Sequence, residues 1–214
     1  MAGYEPFRIP HQVLHERNME ALAKFRGMGM KLREGFWATG MPHIQFVDLT
    51  RAEGEPLDVS WFSQRLHLGN GLLTSGLSPF HADGLHVTLV KWGPGEDDCG
   101  RVDCDDSVSL SECSIVSYRE VRIGRNVLFG PSVFMFDCDG SPEDPAGARG
   151  DARNMRMAPI VIEDNAWIGA NAIIMPGVRI GHHATVSTSA VVYEDVAPHC
   201  LAAGNPAIIA ARFV

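Results

Sequence analysis

Ile162-Glu163-Asp164-Asn165-Ala166-Trp167-Ile168-Gly169-Ala170-Asn171-Ala172-Ile173-Ile174-Met175-Pro176-Gly177-Val178-Arg179-Ile180-Gly181-His182-His183-Ala184-Thr185-Val186 decides the fold of this 214-residue chain. An aliphatic residue returns at every sixth position, at Ile162, Ile168, Ile174, Ile180, Val186 and Val192, and the period then falls on Pro198. Four residues after each stands a small or β-branched residue: Ala166, Ala172, Val178, Ala184, Ala190, Val196 and Ala202. A helix would place apolar residues three and four apart, and an ordinary half-buried strand would alternate by two. Neither template fits.

A short fixed period marks a solenoid, whose repeats cannot bury their apolar face alone and must stack. Six residues make one strand and one corner, so three repeats close one coil of a triangular prism. The expected class is mainly β, a parallel β-helix with each leading aliphatic residue pointing inward onto its equivalent one coil away. Burial at about 1.5–3 kcal/mol per Val or Ile lets such a stack stabilise a fold that has little other core. Upstream the pattern recurs at Ile123 and Phe129, with Val127 and Val133 following, and it frays toward Cys113, where Ser117 and Ser111 take the leading position. Between Met135 and Pro159 it is interrupted by Asp137-Cys138-Asp139-Gly140-Ser141-Pro142 and a polar run, a loop at 137–158 thrown out of the solenoid where function is expected. Residues 11–33 read as a packing or capping helix, with Val13, Leu14, Leu22, Phe25, Met28 and Leu32 apolar. From Glu34 to about Asp106 the one clear strand is Leu85–Trp92. The expected division is an N-terminal helical and irregular cap at 1–110 and the β-helix at 111–214.

A net charge of -8 and a pI near 5.5 remove the electrostatic reason to expect nucleic acid or an anionic membrane as the main partner. The start shows no basic run followed by an apolar core, and no stretch nears about 18 consecutive apolar residues, so a cytoplasmic location is expected. The five cysteines, Cys99, Cys104, Cys113, Cys138 and Cys200, include no Cys-x-x-Cys pair and read as free thiols.

Three stretches, Ile123-Gly124-Arg125-Asn126-Val127-Leu128, the run from Ile162 to Asn171, and Ala203-Gly204-Asn205-Pro206-Ala207, resemble the hexapeptide-repeat acetyltransferases. That group includes galactoside, maltose and xenobiotic acetyltransferases and many polysaccharide O-acetyltransferases. The resemblance runs from about Ser114 to Pro206 and implies a left-handed parallel β-helix assembled as a homotrimer. It also implies transfer of an acetyl or other acyl group from acyl-CoA to a hydroxyl or amine, in a groove between subunits, with a loop histidine as base. Where such loops read Asp-x-Asp-x-His-Pro, this chain has Ser141 in the histidine's place, and a serine hydroxyl needs a base of its own near neutral pH. Asp137, Asp139, His81 and His86 are the other candidate bases. The resemblance places Trp167 beside the acceptor and the coenzyme along Ala170, Ser187 and Ser189, with Arg212 as the nearby cation. Relatives often have Gly-Ala-Gly-Ser and a Lys-Asp pair where this chain has Ser187-Thr188-Ser189-Ala190 and Glu194-Asp195. These departures leave open a CoA-independent cyclisation, elimination or isomerisation, or a non-catalytic binding role.

His182 and His183 occupy turn positions of one repeat, which raises a zinc site. The equivalent positions read Asp164 and Asn165 one coil earlier and Cys200 and Leu201 one coil later, so a third histidine is not expected and no metal is assigned.

Overall fold

In the computed structural model the described residues are 11–27, 37–38, 43–52, 55–56, 64–69, 73–74, 85–110, 112–142 and 155–213. They form the expected left-handed prism of parallel strands with three faces. The five-stranded face runs Arg179–Ile180, Ile160–Ile162, Val121–Ile123, Val102–Cys104, Leu66–Leu68. The six-stranded face runs Val191–Val192, Ile173–Ile174, Phe134–Phe136, Ser114–Ser117, His86–Lys91, His43–Asp48. The eight-stranded face runs from Trp37–Ala38 through Leu128–Phe129, Trp167–Ile168 and Thr185–Val186 to Cys200–Gly204, closed by the antiparallel Ala207–Arg212.

The inward phase is as the period requires: Ile168, Ile174, Ile180 and Val186 are all 0% exposed, and Ala166, Ala172 and Ala184 are buried at the corners. Two physical details explain the rest of the repeat. Asn126, Asn165 and Asn171 take positive φ of 56°, 62° and 58° at corners, the left-handed region that asparagine tolerates better than most residues. At Gly169 a Cβ would stand 2.5 Å from the backbone nitrogen of Thr188 on the next coil, so only glycine permits the coils to stack at that point.

The prism does not begin at 111. Leu66–Leu68 pairs in parallel with Val102–Cys104, and His43–Asp48 with His86–Lys91, inside the same sheets, so much of the supposed cap is solenoid. These early coils bury two alternate residues per strand, Leu66 and Leu68, Val102 and Cys104, Val87 and Leu89. Unequal connections separate them, which erases the period of six. The helix His11–Gly27 is the cap proper: Ala21 and Phe25 join the core, and Asn18 accepts a hydrogen bond at 2.9 Å from the backbone N–H of Ala38 in the first coil. The expected continuation of the helix to 33 lies outside the described residues.

The loop leaves the prism as an antiparallel hairpin of Cys138–Pro142 on Met155–Met157 and returns where Ala158 N–H donates to Asp137 C=O at 2.9 Å. All five cysteines are free and buried. Among the described residues no helix is long and apolar enough to cross a membrane.

Candidate functional site

The root of the hairpin is a corner built on one carboxylate. Asp137, fully buried, accepts hydrogen bonds from Ser117 Oγ (2.8 Å) and from the backbone N–H groups of Tyr118 (2.7 Å), Arg119 (2.8 Å) and Glu120 (2.6 Å). Burial pushes its carboxyl above the usual value, against the pull of those four donors. Its oxygens are turned onto Ser117 and the backbone of the preceding corner, the geometry of a clamp on that corner. Asp139 is exposed on the hairpin, and Ser141 lies on the same strand with its side chain outside the described residues.

The remaining candidates are dispersed. His81 lies outside the described residues. His86 is on the outer side of the six-stranded face, stacked on His43 with ring centroids 4.7 Å apart. Trp167 is 58% exposed on the eight-stranded face, in register with Leu128 and Thr185. Ala170 and Ser189 meet at the corner between the eight- and six-stranded faces, with Ser187 in the same turn as Ser189: Ser189 N–H donates to Ala170 C=O at 2.9 Å, and Asn171 Nδ2 donates to Ser189 Oγ at 3.2 Å. Arg212 does not join them, since it pairs with Cys200 at the other end of that face, where Phe213 N–H donates to His199 C=O.

His199 corrects the reading of the histidine corner. Val196 bridges to Ile180 and takes the inward place sixteen residues on, because the turn at Glu194-Asp195 is short. That slip carries His199, not Cys200 or Leu201, to the turn above His183, and both take φ of 56°. The ring centroids of His182, His183 and His199 lie 5.6, 5.0 and 5.0 Å apart. The His183 and His199 rings are stacked at 9°, so their lone pairs do not converge, and no group among the described residues is arranged to hold a metal ion.

The feature that sequence reading passed over lies on the five-stranded face. His67 and Asp103 are register partners on adjacent strands, with Nδ1 of His67 2.7 Å from Oδ1 of Asp103. Arg101 Nε donates to Asp103 Oδ2 at 2.5 Å and its Nη2 to Oδ1 at 3.2 Å. Three hollows adjoin along this face. One of about 550 Å³ lies against the hairpin, lined by Trp92, Arg101, Arg119, Met155 and Met157. A second of about 330 Å³ holds His67, Gly69, Arg101 and Asp103. The third, of about 680 Å³, runs from Asp103 and Asp105 to Glu163, His182 and His183. The only local signal was a histidine in a stretch without repeat, and its partner stands 36 residues away.

At the third hollow the corner carboxylates are tied down. Backbone N–H donation from His182 holds Glu163 below its ordinary value, helped by Arg179, and donation from Arg125 N–H does the same for Asp164, helped by the Arg125 side chain.

The bacterial transferase hexapeptide family (six repeats) matches residues 159–194. The chain is 33% identical over 122 residues to a chloramphenicol acetyltransferase of Escherichia coli, covering 54% of this chain and 58% of that one. It is 32% identical over 97 residues to a galactoside O-acetyltransferase of Lactococcus lactis, covering 45% of each. The chain thus spans about half the length of the curated relatives it matches. Among solved structures, an N-acyltransferase of Bacillus cereus, AntD, in complex with dTDP and 3-hydroxybutyryl-CoA, superposes with a TM-score of 0.65 over 90% of this chain and 88% of its own, at 12% identity. At that identity the likeness concerns the fold.

Proposed function

We propose, from the premise that this chain is a hexapeptide-repeat protein of the acyltransferase kind, that it transfers an acetyl or larger acyl group from acyl-CoA to a hydroxyl or amine of a small molecule. The observation that carries the reading is the transferase-hexapeptide match over residues 159–194, the coils that set Ala170 against Ser189, beside the likeness to acetyltransferases. In the reaction the acceptor oxygen or nitrogen attacks the thioester carbonyl carbon, the C–S bond breaks, and the acceptor's proton ends on the coenzyme thiol. Ala170, Ser187 and Ser189 would line the pantetheine arm, and Trp167 would border the acceptor. These residues lie away from the hairpin and the five-stranded face within one chain. A complete site therefore needs a neighbour, in a homotrimer that would also cover Leu128 and Trp167, 52% and 58% exposed.

Calorimetric titration with acetyl-CoA, followed by thiol release over a panel of sugars, alcohols and amines, tests the reading. Saturable micromolar binding and acceptor-dependent thiol release support it. No binding at millimolar coenzyme moves the weight to a CoA-independent reaction, the reading that the side chains of Ser187 and Ser189 favour. Light scattering tests the trimer, and a stable monomer at micromolar concentration contradicts it.

A further inference from the structure

Acyl transfer needs a proton acceptor, and the loop supplies none of the expected kind: Ser141 stands at the histidine position and Asp137 is a buried clamp. The five-stranded face does supply one. An ionised carboxylate only accepts hydrogen bonds, so opposite it a neutral imidazole at 2.7 Å presents its N–H from Nδ1 and leaves the lone pair on Nε2. Asp103 cannot swing away, because Arg101 grips both of its oxygens. His67 is 54% exposed and borders the hollow of about 330 Å³, so its ring is open to a bound molecule. Arg101 also lines the hollow against the hairpin, and its backbone N–H donates at 3.2 Å to Ser117 Oγ, the hydroxyl that in turn donates to Asp137. The dyad is thus joined by direct bonds to the corner from which the loop springs. The charged groups around the dyad are Arg101 just before the strand of Asp103, Arg122 in register with Asp103 on the next strand, Arg65 just before the strand of His67, and Asp105 across the hollow.

We propose that His67, oriented by Asp103 and Arg101, is the proton acceptor of this chain, relocated from the loop to the adjoining face. The inference rests on the acyl-transfer reading above. Nε2 takes the acceptor's O–H or N–H proton as the attacking atom bonds to the thioester carbon, and returns it to the departing coenzyme sulfur, leaving an ester or amide and free CoA thiol. Asp103 acts through His67 as a positioning residue, holding the tautomer and stabilising the imidazolium that forms.

The bland alternative is a cross-strand surface ion pair, which contributes little and touches no chemistry. Thiol release as a function of pH separates the two, measured for the intact chain and for His67→Gln, Asp103→Asn and, as control, the exposed His15→Gln. The expected result is a fall in kcat of more than about 100-fold for His67→Gln with KM within about threefold. The acidic limb of the pH profile should disappear in the same variant, and free imidazole should restore turnover to His67→Ala. Asp103→Asn should lower kcat and move the acidic limb to lower pH, with partial recovery in Asp103→Glu. Retention of kcat within about threefold by His67→Gln, in a protein whose wild type transfers acyl groups, overturns the role alone. A wild type that neither binds coenzyme nor releases thiol overturns the acyl-transfer reading and this role with it. Should His67→Gln fail to fold, Asp103→Asn carries the same comparison, and an unchanged pH limb in that variant overturns the proposal.

Discussion

Replacing Asp137 distinguishes a clamp from a base. Its Oδ2 takes three hydrogen bonds, from Ser117 Oγ, Arg119 N and Glu120 N, and its Oδ1 takes one, from Tyr118 N. In Asp137→Asn the amide can place its oxygen at the Oδ2 position and keep three donors satisfied, but it then turns N–H groups against Tyr118 N–H, 2.7 Å from that site. One buried donor left without an acceptor costs about 1–3 kcal/mol. Asp137→Ala strands the three backbone donors, while Ser117 Oγ can turn to the Arg101 carbonyl 3.0 Å away. Bonds to a charged acceptor contribute about 1.5–3 kcal/mol each, and water can replace part of this on the exposed Arg119 side, so a loss of about 3–6 kcal/mol is expected. That approaches the whole stability of many domains. Urea denaturation at fixed protein concentration reads the midpoint and slope together, and the loss should shift the midpoint with the slope unchanged. Turnover per folded Asp137→Asn molecule should stay within about threefold of wild type. The reasoning is refuted if Asp137→Ala unfolds within about 0.5 kcal/mol of wild type, or if Asp137→Asn is as stable as wild type and loses turnover by about 100-fold.

Ile168→Ala removes a fully buried side chain from the middle of the inward stack and should cost about 2–5 kcal/mol in chemical denaturation. Gly169→Ala sets a methyl 2.5 Å from the Thr188 nitrogen and 2.8 Å from the Val186 carbonyl oxygen, so it should destabilise by about 1–3 kcal/mol, whereas Gly27→Ala, with open space around it, should melt at or above wild type. Glu163 and Asp164 are held below their ordinary values, so their contribution is present above about pH 4.5 and 3.8 respectively and is lost as pH falls through the lower folded values. The melting temperature of Asp164→Asn should therefore fall less steeply than wild type on acidification below about pH 4, and parallel curves would contradict this. Ser141→His alone should gain no acetyl transfer toward simple alcohols if the side chains of Ser187 and Ser189 obstruct the coenzyme arm; new transfer would show that they do not.

The solenoid was legible in the residues alone, because a stack of coils forces identical chemistry onto equivalent positions, and Ile162, Ile168, Ile174, Ile180 and Val186 write that constraint at a constant spacing. The sequence also showed the constraint lapsing after Met135, where the hairpin of Cys138–Pro142 on Met155–Met157 leaves the stack. It did not reveal the earlier coils: Leu66–Leu68 and Val102–Cys104 satisfy the same inward geometry, but connections of unequal length remove the period that a linear reading detects. Contacts between coils emerge only once the chain is folded. The short turn at Glu194-Asp195 moved His199 beside His183, the corner of Ser117 to Glu120 turned Asp137 into a buried clamp, and strand pairing set His67 against Asp103. A solenoid brings together residues one coil apart, and once insertions vary the length of each coil, that separation can no longer be counted along the chain.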